Sequence, residues 1–517
     1  MHHIKKLVKS IFISITFMFI TLCAYTECAY ADQDVISLFP IENYDQTIST
    51  WIKPNDPHYD KSLLTQEMQQ KRLDIFYDHY FGSLSPWNAE YVTTVLKQSS
   101  PNDLKSIEIN LLDYFNNTGK SHDEIGYGEN FRPHDINWIK KIETNVNISQ
   151  FNDLTYHADQ RGIAIENLSA RALPTDDVYF YNHKIAGEGY PFDILQISAL
   201  WAGTPVYIVG ETRDHAWLLV ITPDYIGWVK SRGIARTDNY FVDSWSSAAK
   251  HKLVAITQTK TSIVDDKNKF LFSAYVGAVF PGITDANSIK IMVPIADTTH
   301  HAVIEYGIVS NENAAVMPLS ATPHHFATIM STMINRPYGW GGIYFYNDCS
   351  AELKSLFTPF GIWLPRHSSN QVTAGKMVDL SSSPAKKRLS YLMNNGQPFL
   401  TIIYIGGHVF LYIGNDFNPK EPNTLMAMTY QNMWGLSPNP RVRRAVIGQS
   451  VLFPLLLSYP EDTSLTSLAD KKYFQIAYLN QLPDSGSLLN EKIINIRSLM
   501  YPEILIHAGL LLIQRPL

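Results

Sequence analysis

The chain has 517 residues, of which 45% are hydrophobic, 12% aromatic and 17% charged. That length calls for several domains, and the composition excludes disorder, collagen and coiled coil. A net charge of -6 without a basic block argues against a nucleic-acid partner, and three cysteines exclude a disulfide framework or a cysteine-rich zinc domain.

The first element is a leader. Lys5, Lys6 and Lys9 make a basic head, Ile11 to Ala24 an apolar stretch, and Ala29-Tyr30-Ala31 offers small residues where a signal peptidase cuts. The pattern predicts a cleaved secretory signal over residues 1–31, too short to span a membrane as a helix. Leu22 and Glu27 before Cys23 and Cys28 are too large for lipid-attachment cleavage. The mature protein is therefore expected to be exported, periplasmic or extracellular, with Cys349 as its one cysteine. An exported thiol without a partner in its own chain is either a small buried hydrophobe or a reactive group.

From Trp51 to Phe151 the text reads helical. Leu63, Leu64, Met68, Leu73, Ile75 and Phe76 stand at helical spacing within Ser62 to Tyr80, and a second helix is expected around Ile107 to Phe115. Asn147 and Ser149 form a glycosylation sequon, which would carry no meaning in a bacterium. From Ala172 the period shortens. Thr204 to Val209, Ala216 to Ile221 and Ile226 to Val229 read as short strands of a small SH3-like barrel. Phe270 to Phe272, Ile289 to Val293 and Ala302 to Val309 repeat the texture and predict a second barrel.

Ala321 to Pro460 reads as helix, glycine-rich turn, helix, loop, helix and then strands, an α+β order. Helices are expected at His325–Ile334, Ser350–Phe360 and ending over Leu389–Asn394. Strands are expected at Phe399–Ile405, His408–Ile413, Leu425–Thr429, Val442–Ile447 and Val451–Leu457. The tail from Ser464 is mixed, and its apolar run Ile504 to Ile513 is too short for a span. The mature chain thus shows no integral membrane segment. The expected organisation is a signal at 1–31, a helical N-terminal domain at 32–171 and barrels at 172–250 and 251–320. An α+β domain at 321–463 and an extension at 464–517 complete it.

Chemistry concentrates around Cys349. Gly339, Gly341 and Gly342 precede it, permitting unusual dihedrals, and Asp348 is placed to cap the helix that follows. A cysteine at a helix N-terminus sits where the dipole favours the thiolate, the nucleophilic form. Its attack on a carbonyl creates an oxyanion, for which backbone N–H groups at the helix start and the Tyr338 hydroxyl are candidate donors. His408 follows Gly406-Gly407 and opens a strand, so the sheet directs its side chain. Cysteine then histidine across a helix-then-sheet region fits a cysteine hydrolase whose partners meet in space. His300-His301 and His324-His325 are adjacent pairs without metal-site spacing, so no metal and no organic cofactor are expected. Trp217 and Trp228 are expected in the barrel core.

Arg336-Pro-Tyr-Gly-Trp-Gly-Gly through Asp348-Cys-Ser350, then Gly361-Ile-Trp-Leu-Pro-Arg-His-Ser-Ser-Asn-Gln371, then Gly406-Gly-His-Val-Phe-Leu-Tyr-Ile-Gly414 resembles the NlpC-type cell-wall cysteine peptidases. Gly187-Glu-Gly-Tyr-Pro-Phe-Asp193 resembles the start of the first bacterial SH3-like domain in a multidomain branch of that family. The resemblance implies a helical N-terminal domain, two SH3-like barrels and a papain-like catalytic domain. It implies an endopeptidase that cuts between γ-D-glutamate and the diamino acid of peptidoglycan stem peptides or muropeptides. By position it assigns Cys349 as nucleophile, His408 as base and Gln431 as the residue orienting His408, with Asn432 one register step away. Tyr338, Trp340, Asp348, Ser350 and Ser368 fall on groove positions of the motif. In relatives with barrels such an acid holds the free amine of L-alanine, and the barrel blocks glycan-linked chains; Asp348 is equally a helix cap. His367 stands where many relatives carry Asp. The rivals are an N-acetylmuramoyl-L-alanine amidase on the same scaffold and a non-catalytic wall-binding protein, the latter motivated by the neutral Gln431. Oligomeric state is not readable from the chain.

Overall fold

The computed structural model describes residues 35–483 apart from 101–102, 285–287 and 419–420. The expected signal peptide and the run Ile504 to Ile513 lie outside these residues. Among the described residues no helix is long and apolar enough to cross a membrane.

Three seven-stranded sheets organise the chain. The helices begin where short polar side chains can accept backbone N–H groups left without intrahelical partners. Thr65 accepts from Met68 N at the start of Gln66–Tyr80, and Asn88 from Tyr91 N at the start of Ala89–Leu96. Asp103 and Asp135 do the same for Leu104–Phe115 and Ile136–Val146. These last three helices pack on the first barrel and share one core with it. Val92, Val95, Ile107, Leu111 and Phe115 lie in the same cluster as Leu219 and Trp228. That is why Trp217–Ile221 is buried at every residue rather than alternating: helices cover the face a lone barrel would show to water. Trp217 and Trp228 both belong to this core.

The stretch 32–171 is not one helical domain. Ile36–Leu38 pairs in parallel with Arg444–Leu455 at the edge of the α+β domain's sheet, and Ile48 and Ile52 pack in that domain's core. Gln66–Tyr80 is a strut between the second barrel and the α+β domain. Its Phe76 and Tyr80 enter the core of the second barrel, while buried Arg72 donates to the carbonyls of Ala374, Leu479 and Gln481. Arg161–Ala164 and Leu168–Arg171 already belong to the first barrel's sheet, so that barrel begins before residue 172. Four-residue strands buried at nearly every position show no alternation to read.

The sheet of the α+β domain runs in the order 36–38, 444–455, 421–436, 409–418, 401–404, 475–478, 376–379. Gln475–Tyr478 lies inside it, pairing with Thr401–Tyr404 on one side and Lys376–Asp379 on the other. The domain therefore continues past residue 463, and the extension expected from 464 supplies an interior strand. The helices Pro323–Met333 and Cys349–Phe357 cover one face, with Leu353, Leu356 and Phe326 against Ile402, Leu411 and Tyr430. Ala385–Asn395 covers the other, with Leu389 and Leu392 against Ile403, Phe410 and Phe453. The two strands expected over 442–457 are one, Arg444–Leu455, and the strand expected to end at Thr429 runs on through Glu421–Leu436. Glycines at 435 and 448 mimic turns in the sequence, but the ladder passes through both with a register shift between Met433 and Gly435.

One buried carboxyl marks the joint between helices and first barrel. Glu108 is wholly enclosed and accepts a hydrogen bond from Trp228 Nε1 at 3.1 Å. Burial pushes its pKa from 4.5 up to about 8, so the folded protein carries it neutral at pH 7. The unfolded chain releases that proton above pH 4.5 while the folded chain keeps it, so this group's contribution to stability declines from pH 4.5 to about 8. Glu108→Gln keeps the acceptor for Trp228 and removes the titration. Thermal melts from pH 5 to 8 are expected to show the wild type losing stability relative to Glu108→Gln; parallel curves would mean that Glu108 is ionised in the fold.

Candidate active site

Cys349 is the first residue of its helix and the one cysteine among the described residues, 7% exposed. Asp348 is the N-cap, its carboxylate accepting from Ala351 N at 2.9 Å. Cys349 packs in the same apolar cluster as Val409 and Tyr430, the chain neighbours of His408 and Gln431. Glu352, one turn along the helix, ties it to the sheet. It accepts from Ser450 Oγ at 2.6 Å, from Asn347 Nδ2 at 2.8 Å and from the Tyr430 hydroxyl. Burial raises the Glu352 pKa, and these donors pull against that rise.

His408 Nε2 lies 2.8 Å from Gln431 Oε1. Which way the Gln431 amide points follows from its other end. Thr429 Oγ1 donates to Phe453 O at 2.6 Å, leaving the hydroxyl oxygen to accept from Gln431 Nε2 at 2.9 Å. The amide oxygen therefore faces His408, and an amide oxygen only accepts. So the imidazole carries its proton on Nε2, and Nδ1 keeps its lone pair. Although His408 keeps some surface open to the cleft, it lies deep in the protein, and desolvation pushes its pKa from 6.5 down to about 4. The bond to Gln431 opposes this and Lys471 adds to it. Neutral imidazole is the form that can accept a thiol proton. Asn432 is turned away, its Nδ2 donating to Asn347 O at 2.9 Å.

Asp348 and Ser350 are buried in a network around Arg366. The guanidinium donates to Asp348 Oδ2 at 2.6 Å and Oδ1 at 3.2 Å, and to Ser350 Oγ at 2.7 Å. It also donates to Ser198 Oγ at 2.8 Å and Ile197 O at 3.3 Å on a strand of the first barrel. Gly341 N and Ser350 Oγ add further donors to Asp348. Protein donors thus occupy every acceptor site of that carboxylate, and a substrate amine would have to displace one. Ser368 opens the short helix Ser368–Gln371, away from the residues that wall the cleft.

The glycine-rich loop meets the first barrel directly. A Cβ on Gly341 would stand 2.4 Å from Gln196 O, and one on Gly342 2.7 Å from Ala199 N; φ is +58 and +79 at these positions. Only glycine fits both the dihedral and the gap. Gln196 Nε2 donates to Gly341 O at 3.0 Å, and buried Arg171 reaches both Gln196 Oε1 and Asp193. The Asp193 network holds the loop that ends in Phe192, whose ring meets Trp340 at 5.1 Å and Trp434 at 5.3 Å. Between this loop and the catalytic domain opens a cleft of about 310 Å³. Ile185, Glu188 and Phe192 form its barrel wall; Tyr338, Trp340, His408 and Trp434 belong to the catalytic wall, with Arg441, Arg444 and Lys471. Among the described residues no group of three or more His, Cys, Asp or Glu side chains is placed to hold a metal ion.

With this geometry in place, comparison with known proteins is informative. Residues 179–230 match the SH3 domain of SH3b1 type and residues 238–284 the SH3 domain of SH3b2 type. An NlpC/P60 endopeptidase from Photobacterium damselae subsp. piscicida superimposes with a TM-score of 0.73 at 26% identity, over 86% of this chain and 99% of that one. The chain is a close structural match to an NlpC/P60 endopeptidase and carries two bacterial SH3 domains. It is also 34% identical over 89 residues to the gamma-D-glutamyl-L-lysine dipeptidyl-peptidase of Bacillus subtilis (strain 168). That match takes in 17% of this chain and 28% of the relative's length. The two SH3-type barrels and the α+β sheet domain are thus those its motifs imply.

Sequence reasoning gave no role to Arg366, Thr429, Glu352, Gln196 or the three cations of the cleft. Arg366 had one signal: an arginine closing the apolar run Ile362-Trp-Leu-Pro is headed for burial and needs an acid. Arg366→Met would leave Asp348 buried without its partner, and a loss of about 3–5 kcal/mol is expected, read as a fall in the denaturant midpoint. Thr429→Val removes the anchor of the Gln431 amide. The ring nitrogens of His408, followed by 15N NMR, are expected to change from one tautomer to a mixture; an unaltered spectrum would show that Thr429 does not set the amide.

Proposed function

We propose that the chain is an exported cysteine peptidase that hydrolyses the γ-D-glutamyl–diamino acid bond of peptidoglycan stem peptides. The observation that carries the reading is the His408–Gln431 contact, which leaves Nδ1 bare beside a helix that starts at a buried cysteine. The activity of the Bacillus relative supports the choice of bond, and the endopeptidase from Photobacterium supports the same use of the whole architecture.

Cys349 Sγ attacks the γ-carbonyl as its proton passes to His408 Nδ1. Charge on the carbonyl oxygen is taken up by N–H groups at the helix start and by the Tyr338 hydroxyl. The C–N bond breaks, His408 gives its proton to the leaving amine, and a thioester remains. Water then attacks the thioester as His408 takes its proton; the proton returns to the departing sulfur, and the γ-carboxyl is released. Gln431 orients His408 throughout but, being neutral, stabilises the imidazolium less than a carboxylate would. Tyr338 and Trp340 line the substrate path, whereas Ser368 stands apart from it. Asp348 and Ser350 act through Arg366, which fixes the start of the Cys349 helix. The barrel wall narrows the cleft beside His408, which favours peptides with a free N-terminal L-alanine over glycan-linked ones.

Incubation of the protein with L-Ala-γ-D-Glu-diaminopimelate peptides, free and amide-linked to the disaccharide, with products read by mass spectrometry, tests this. Cleavage after γ-D-glutamate in the free peptide alone is expected, and Cys349→Ala is expected to lose on the order of 10³-fold or more in rate. Cleavage between muramic acid and L-alanine would make the protein an amidase. An undiminished rate in Cys349→Ala would remove the cysteine from the mechanism, and intact substrate throughout would favour a wall-binding role.

A further inference from the structure

Arg441, Arg444 and Lys471 stand together on the catalytic wall of the cleft. Burial lowers the pKa of all three; Arg441 lowers that of Arg444 further, and both arginines lower that of Lys471. The acids near them are Glu188, across the cleft beside both arginines, and Asp470, next to Lys471. Neither Arg444 nor Lys471 makes a side-chain ion pair with a described residue, and Arg444 Nε is buried without a hydrogen-bond partner. The guanidinium is pressed against the barrel loop, where a Cβ on Gly187 would lie 2.5 Å from Nη2. Partly buried cations that repel one another cost stability unless an anion completes them. A planar guanidinium with an ammonium beside it is suited to a carboxylate.

The side of the cleft is set by His408. Its proton goes to the leaving amine, so the leaving residue passes the imidazole, and Lys471 is near enough to lower the imidazole pKa. We propose that Arg444 and Lys471 form a subsite for a carboxylate on the residue that leaves, the diamino acid after the cut bond. The proposal rests on the peptidase reading above and deepens it: a diamino acid that carries an extra carboxylate is favoured over lysine, which has none on its side chain.

The test uses the full chain and three forms of L-Ala-γ-D-Glu-diaminopimelate: unmodified, amidated at the D-glutamyl α-carboxyl, and amidated at both diaminopimelate carboxyls. In the wild type the third form is expected to fall about 10- to 100-fold in kcat/KM relative to the first, chiefly through KM. In Arg444→Met, and separately in Lys471→Met, that ratio is expected to collapse toward one, with partial recovery in Arg444→Lys. A ratio that stays at the wild-type value in both variants overturns the subsite. A loss that follows the D-glutamyl amidation instead overturns its assignment to the leaving side. If the wild type cleaves none of the three, the peptidase reading fails. Calorimetric affinities of the same peptides for Cys349→Ala then decide the subsite alone: the same ranking supports it, and equal affinities overturn it.

Discussion

The buried ion pair between Arg366 and Asp348 is the interaction on which the rest of the structure depends. A guanidinium and a carboxylate taken out of water repay their desolvation only if every donor and acceptor is used. Here they are, and the partners come from three places: the cap of the Cys349 helix, the glycine-rich loop before it, and a strand of the first barrel. Satisfying one charge pair therefore fixes the Cys349 helix and the barrel against each other. The barrel is a wall of the site rather than a tethered accessory.

A second chain of constraint orders the histidine. It begins at a strand carbonyl, Phe453 O, and passes through Thr429 and the Gln431 amide to Nε2 of His408. Each link has one sensible donor direction, because a carbonyl only accepts and an amide nitrogen only donates. The sheet thereby specifies a tautomer without an ionised residue. Both chains converge on Cys349, one through the helix cap and one through the strands behind it, with Glu352 joining the two.

Much of this was legible in the chain. The helix that starts at Cys349 could be read from its cap Asp348, because capping is a local rule. The two barrels could be read from runs such as Ile226 to Val229, and the neighbourhood of Cys349 from its glycines. What could not be read depends on distant partners. Arg161–Ala164 and Gln475–Tyr478 are too short to show a period and become strands only through their neighbours. Asp348 could be recognised as a cap, but its second role needs Arg366 and Ser198 beside it. Arg444 and Lys471 are far apart in sequence and meet only because Gln475–Tyr478 returns the chain to the sheet.

That return has a consequence for when the site comes into being. The catalytic sheet takes an edge strand from Ile36–Leu38 and an interior strand from Gln475–Tyr478, so its first and last strands in sequence are almost the whole described chain apart. Contacts of such sequence separation form late, after the long loop between them has closed. A chain made N-terminus first has barrels and helices able to fold while the sheet still lacks its interior strand. The cleft wall that carries Lys471 is then absent as well. Completion of the site is thus a late event in folding, a timing written into strand order.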